Sequence, residues 1–195
     1  MNSRPTAGRP APELLGIYLN DHLAGASAGT ELLRRAARAH RGTALGPPLA
    51  ALAREVAEDR ESLRAVMAGL GVPESRVRAA LGGLAEKAGR LKLNGHLFTR
   101  SPLSDVLELE AMRLGVEGKA CMWRALLALA DHGARVDGDR LHELLRRAER
   151  QIRILETLRR ERSAQVFAPD VAGTTAARRR DTARSPAHHA GRRTA

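Results

Sequence analysis

PLAALAREVAEDRESLRAVMAGL, residues 48–70, places Leu49, Leu52, Val56, Asp59, Leu63, Val66 and Leu70 three and four positions apart. That alternation lines one face of a helix, as in a bundle whose helices bury a stripe against their neighbours. A half-buried strand would alternate by two. Gly71 stops this helix, and Asp59 is the one ionisable group in the stripe.

Upstream, residues 42–48 read as a turn, and residues 12–41 as a first helix opened by Pro12. Its inward positions are Leu15, Tyr18, Leu19, Ala26, Leu33 and Ala36. Gly25 and Gly29 fall among Ala24, Ala26 and Ala28, a small-residue patch expected to let a neighbouring helix approach closely. Downstream, Pro73 opens a shorter helix to about Gly89, carrying Val77, Leu81 and Leu84. Residues 90–104 lose the helical period and contain an Asn-Gly turn signal.

Ser101 and Pro102 read as the N-cap and first position of a third helix. It is expected to point Val106, Leu107, Glu110 and Leu114 inward, to kink near Gly115 and Gly118, and to resume with Trp123 and Leu127 inward. Gly133 and residues 137–139 form the last turn. A fourth helix over 139–166 follows, on Leu141, Leu144, Leu145, Ala148, Ile152, Leu155 and Leu158.

Linker length sets the expected topology. Short turns after helices 1 and 3 make two antiparallel hairpins. About thirty residues join helix 2 to helix 3, enough to cross the bundle and bring helix 3 parallel to helix 2. The expectation is an all-α, ferritin-like four-helix bundle over residues 12–167, with a long helix 2–helix 3 crossover containing a short extra helix. A disordered arm over 1–11 and a disordered, Arg-rich tail over 168–195 flank it.

Composition agrees with close-packed helices. Aromatic residues are 2% of the 195, so the core must be built from Leu, Ala, Val and Met. Cys121 is the single cysteine, which excludes an intramolecular disulfide. The N-terminus shows no secretory signal, and the longest apolar run, 125–130, is far short of a membrane span. A cytoplasmic location is the expectation. The net charge is +11; residues 168–195 hold six arginines against two aspartates, a net +4, and the remaining +7 is spread over the rest. Lysine is confined to Lys87, Lys92 and Lys119, and this arginine and alanine excess has the look of coding bias in a high-GC genome.

The stretches YLNDHLAGASAG (18–29), AREVAEDR (53–60), EKAGRLKLNG (86–95), SPLSDVLELE (101–110), GVEGK (115–119) and RAERQ (147–151) resemble a group of actinobacterial proteins with a ferritin-like helical bundle and no assigned activity. The resemblance covers residues 12–166. It implies the fold and no chemistry.

A ferritin-like di-iron centre takes a Glu from each of two helices and Glu-x-x-His from each of the other two. Glu-x-x-His occurs nowhere in this chain. The substitutes for an altered Fe, Mn or Zn site are Asp21, His22, Glu55, Asp59, Glu110 and Glu149. Against that stands a structural reading in which these polar groups, with Gln151, form a buried network or lie at the bundle edge. An unpaired core ion costs several kcal/mol, so partners are required. Lys87, Arg90, Lys92, His96 and Arg100 gather near the crossover as an anion or partner contact. Cys121 is expected as a packed small hydrophobe, and no nucleophile elbow, phosphate loop or zinc pattern occurs.

The first functional expectation is therefore a non-catalytic interaction or structural module with no cofactor, with helix faces that could pair it as a homodimer. A metal-binding or redox bundle with an atypical ligand set is second. A protein that binds nucleic acid or an anionic surface nonspecifically through its tail is third.

Overall fold

Pro102 and Ser101 begin a helix where sequence places one. The Ser101 side chain accepts a hydrogen bond from Ser104 N at 3.3 Å. Asp137 caps the next helix in the same way, accepting from Arg140 N at 3.0 Å. The computed structural model describes residues 11–75 and 101–168, which form four helices and no strand. These are α1 (Ala11–Ala39), α2 (Gly46–Gly69), α3 (Pro102–Asp131) and α4 (Gly138–Phe167). The short helix expected over 73–89 falls almost wholly outside the described residues, and Pro73–Ser75 are not helical. The loop candidates Lys87, Arg90, Lys92, His96 and Arg100 also lie outside them, as do most of the two termini.

Side-chain pairs fix the helix directions. Between α3 and α4, Asp105 meets Arg162, Arg113 meets Glu156 and Arg124 meets Glu149, so the two are antiparallel. Asn20 near the start of α1 holds the chain leaving α2: its Nδ2 donates to Pro73 O at 3.1 Å, and its Oδ1 accepts from Ser75 N at 2.7 Å. His40 at the end of α1 meets Asp105 at the start of α3, and His22 lies against Gly118. Since α1 runs opposite to both α2 and α3, α2 and α3 are parallel, as the long connection requires.

One apolar cluster spans all four helices, from Leu19, Leu33 and Ala36 through Leu52, Val56 and Leu63 to Met112, Trp123, Leu144 and Leu155. The helix phase differs from expectation in two places. In α3 the buried stripe is Val106, Leu109, Met112, Val116, Lys119 and Trp123, and Leu114 is 66% exposed. Burying the indole of Trp123 sets this phase and turns Leu114 and Glu110 away from the core, since a large ring contributes more than one leucine. In α1, Leu19 takes the core position, while Tyr18 sits at the edge with its ring against His22, centroids 4.6 Å apart. The last buried position of α2 is Met67, beside the expected Val66. α3 is helical through Gly115 and Gly118.

Glycines divide into those the backbone needs and those it does not. At Gly46 a Cβ would stand 2.4 Å from the His40 carbonyl oxygen, so the α1–α2 turn excludes any side chain there. Gly71 and Gly133 have φ of 69° and 89°, the left-handed conformation that ends α2 and α3. Gly25 and Gly29 behave otherwise. A Cβ at either would meet nothing within 4 Å among the described residues, which corrects the expectation that they seat α2, α3 or α4. Replacing both by Ala removes backbone freedom from the unfolded chain, and we expect a gain of about 0.5–1 kcal/mol per site in urea unfolding. A loss would show that something beyond α2, α3 and α4 is packed on this face in solution.

Candidate functional site

Where α2, α3 and α4 meet, the core turns polar. Asp59 is 1% exposed, Lys119 9% and Gln151 0%. Each sits on the apolar stripe of its helix: Asp59 between Val56 and Leu63, Lys119 between Val116 and Trp123, Gln151 between Ala148 and Leu155. Amphipathic winding carries all three inward, where each must find partners or lose its hydration uncompensated.

They find one another. Lys119 Nζ donates to Asp59 Oδ2 and to Gln151 Oε1. Gln151 Nε2 donates to Glu55 Oε2 at 2.9 Å and to Asp59 Oδ2 at 3.2 Å. Arg147 Nη2 is ion-paired with the other Asp59 oxygen, Oδ1, while its Nη1 reaches Glu58 Oε2 at 3.1 Å. The buried carboxylate is thus held between an ammonium from α3 and a guanidinium from α4, with the amide of Gln151 joining it to Glu55. α2 and α4 approach least closely of the neighbouring pairs, and these long side chains span the gap.

Burial disfavours the charged amine, so the Lys119 ammonium is held below its ordinary value. Asp59 pulls the other way, and Arg147, competing for the same carboxylate, adds to the lowering. Desolvation, with Arg147 beside it, outweighs the opposing pull of Asp59 and the smaller one of Glu55.

The residues proposed from sequence as metal ligands separate in space. Glu55 and Asp59 belong to this network. Glu149 pairs with Arg124 at 2.9 Å, and Glu110 lies 3.6 Å from Arg159 at the bundle edge. Asp21 is exposed on α1. His22 is part-buried between Tyr18 and Gly118, and that burial lowers its imidazole below the ordinary range despite the opposing charge of Asp21. Among the described residues, no group of three or more His, Cys, Asp or Glu side chains gathers where an ion could be held. The donor set around Asp59 does not fit a metal either, since its near neighbours are two cations and an amide. Cys121, expected inside, is exposed.

A second buried cluster escaped the sequence reading. His40 Nε2 lies 3.1 Å from Asp105 Oδ1, and Arg162 grips Asp105 Oδ2 through Nε at 3.0 Å and Nη2 at 2.8 Å. Thr43 Oγ1 is 3.4 Å from His40 Nδ1, but it donates to the His40 carbonyl at 3.1 Å and accepts from Leu45 N at 3.3 Å. That hydroxyl serves the turn, and the doubly gripped Asp105 stabilises the first turn of α3. Lys119, Arg147, His40, Asp105 and Arg162 were the residues missed. For Lys119 a signal existed, because counting back from Trp123 by four and seven gives Lys119 and Val116.

A cleft of about 330 Å³ lies between α1 and α2, away from the polar centre, lined by Asn20, Leu23, Ala24, Ser27, Arg64, Glu74 and Ser75. Its guanidinium is already engaged: Arg64 holds Glu74 at 3.1 Å and Glu61 at 2.8 Å. No helix among the described residues is long and apolar enough to cross a membrane. Comparison with protein-family models, with curated proteins and with solved structures finds no match.

Proposed function

We propose that this chain is a non-catalytic helical module of the cytoplasm, ferritin-like in its helix order, that acts through its outer surface. The supporting observation is the filling of the polar centre by the chain's own cations. Where a metal-binding bundle would converge carboxylates and imidazoles on an ion, Lys119 and Arg147 converge on Asp59. An ammonium and a guanidinium neutralise the carboxylate, and Gln151 bonds Lys119, Glu55 and Asp59. The place a metal would take is thus held by the chain's own cations, with Arg147 Nε left without a hydrogen-bond partner among the described residues. Parallel α2 and α3, joined by one long connection, support the ferritin-like reading of the fold.

The test is metal analysis of the full chain, purified without a His tag from cells supplied with iron, manganese and zinc. The expected result is no metal near one ion per chain. Stoichiometric Fe, Mn or Zn that resists dialysis would overturn the reading.

A further inference from the structure

The arginines of α4 fall into two sets. Arg140 pairs with Glu143, Arg147 with Glu58 and Asp59, Arg159 with Glu156, and Arg162 with Asp105. Arg146, Arg153 and Arg160 make no ion pair among the described residues, and all three are exposed. They recur every seven residues, so they line one face of the helix at spacings of about 10.5 Å, over about 21 Å in all. The heptad drift of about 20° keeps them on that face. Arg150, half exposed and only 3.7 Å from Glu55, stands beside them. Glu161 is the exposed carboxylate nearest the far end, while Glu149 and Glu156 on the flanks are already paired.

The geometry points to this row as a docking strip for the phosphodiester backbone of duplex nucleic acid. Among the described residues, folding gives none of the three an ion pair, while it pairs the other arginines on the same helix. Arg160 does add to the positive charge that lowers the Glu156 carboxyl. A guanidinium binds phosphate through two parallel hydrogen bonds, which suits arginine better than lysine to this use. An anionic membrane fits less well. The leucines of α4 are committed to the core, and the one large exposed apolar side chain of α4 is Phe167 at the far end of the row, where a bilayer-bound helix needs an apolar face along its length. Single strands fit less well too, because the positions between these arginines, such as Arg150 and Thr157, offer no row of aromatic rings for stacking. Recognition would be of the backbone and independent of base sequence. The chain continues beyond α4 into residues 169–195, whose six arginines lie outside the described residues and form a separate source of positive charge.

This inference rests on reading the bundle as a surface-acting module and names its partner. Metal content tests that reading, salt dependence tests this one, and the two can fail separately. The experiment measures duplex DNA binding by the full chain over a salt series, for the parent, R146Q/R153Q/R160Q and the tail variant R178Q/R179Q/R180Q. Each phosphate contact contributes about 0.9 to the log–log salt slope, so the strip variant should flatten the slope by about 2.7. A fourfold dilution of salt should then favour the parent over the variant by about 40-fold. If the triple variant loses helical circular dichroism, the single variants carry the test, each lowering the slope by about 0.9. An unchanged slope in the strip variant, with the tail variant abolishing binding, would overturn the proposal. So would binding to phosphatidylserine vesicles without binding to duplex, or no duplex binding at the lowest salt.

Discussion

Replacing Asp59 by Ala should cost about 3–5 kcal/mol of unfolding free energy, the range for leaving buried charge without its partner. Asp59 is enclosed on α2 and answers two cations at once. Its removal leaves Lys119 bonded only to the neutral oxygen of Gln151, with Glu55, held by the same amide, as the remaining carboxylate acting on it. Arg147 retains Glu58 at the surface and suffers less. The double change D59L/K119M removes the charge and the counter-charge together, and packs apolar volume where they stood. It should recover most of the loss, because a buried ion pair exchanged for apolar side chains is often neutral. Urea unfolding followed by circular dichroism distinguishes the two variants. If D59A loses under about 1 kcal/mol, water reaches the centre and the network is a surface feature.

Trp123→Ala should cost a comparable 3–5 kcal/mol. Trp123 is 0% exposed and is the only aromatic side chain in the core among the described residues, so no described neighbour of similar volume can move into the space. Its indole Nε1 is buried with no hydrogen-bond partner among the described residues. The indole therefore contributes volume and shape, without a hydrogen bond. Trp123→Phe should accordingly keep more than half of the stability lost by the Ala variant, since it deletes atoms but strands no acceptor. Thermal unfolding of the two variants side by side provides the comparison. Equal losses would mean that the N–H is bonded in solution.

Both effects originate in features that sequence reveals unequally. The helix of residues 48–70 was legible because its period is carried by seven positions, and its stripe is buried as read except in the last turn, where Met67 lies deeper than Val66. Gln151 and Asp59 were legible as polar residues on apolar stripes. Helix 3 was harder. Its first half offers two competing rows, Leu107–Glu110–Leu114 and Val106–Leu109–Met112, and local periodicity cannot choose between them. Burial of Trp123, four turns further on, decides in favour of the second. Lys119 escaped for the same reason, since only the correct phase shows that it faces inward.

Sequence by itself determined that the chain makes helices, where they begin and end, and that its linker lengths allow two hairpins joined by one long connection. Those are local properties, set by period, caps and turn residues, and they need no knowledge of neighbours. The identity of Asp59's partners was a tertiary decision. Lys119 and Arg147 are sixty and eighty-eight positions away in the chain, and a charge pair across that separation leaves no periodic trace. The same holds for the α4 arginines. The seven-residue spacing of Arg146, Arg153 and Arg160 is present in the sequence, but only the folded arrangement of carboxylates shows which arginines are ion-paired and which face solvent without an ion pair among the described residues.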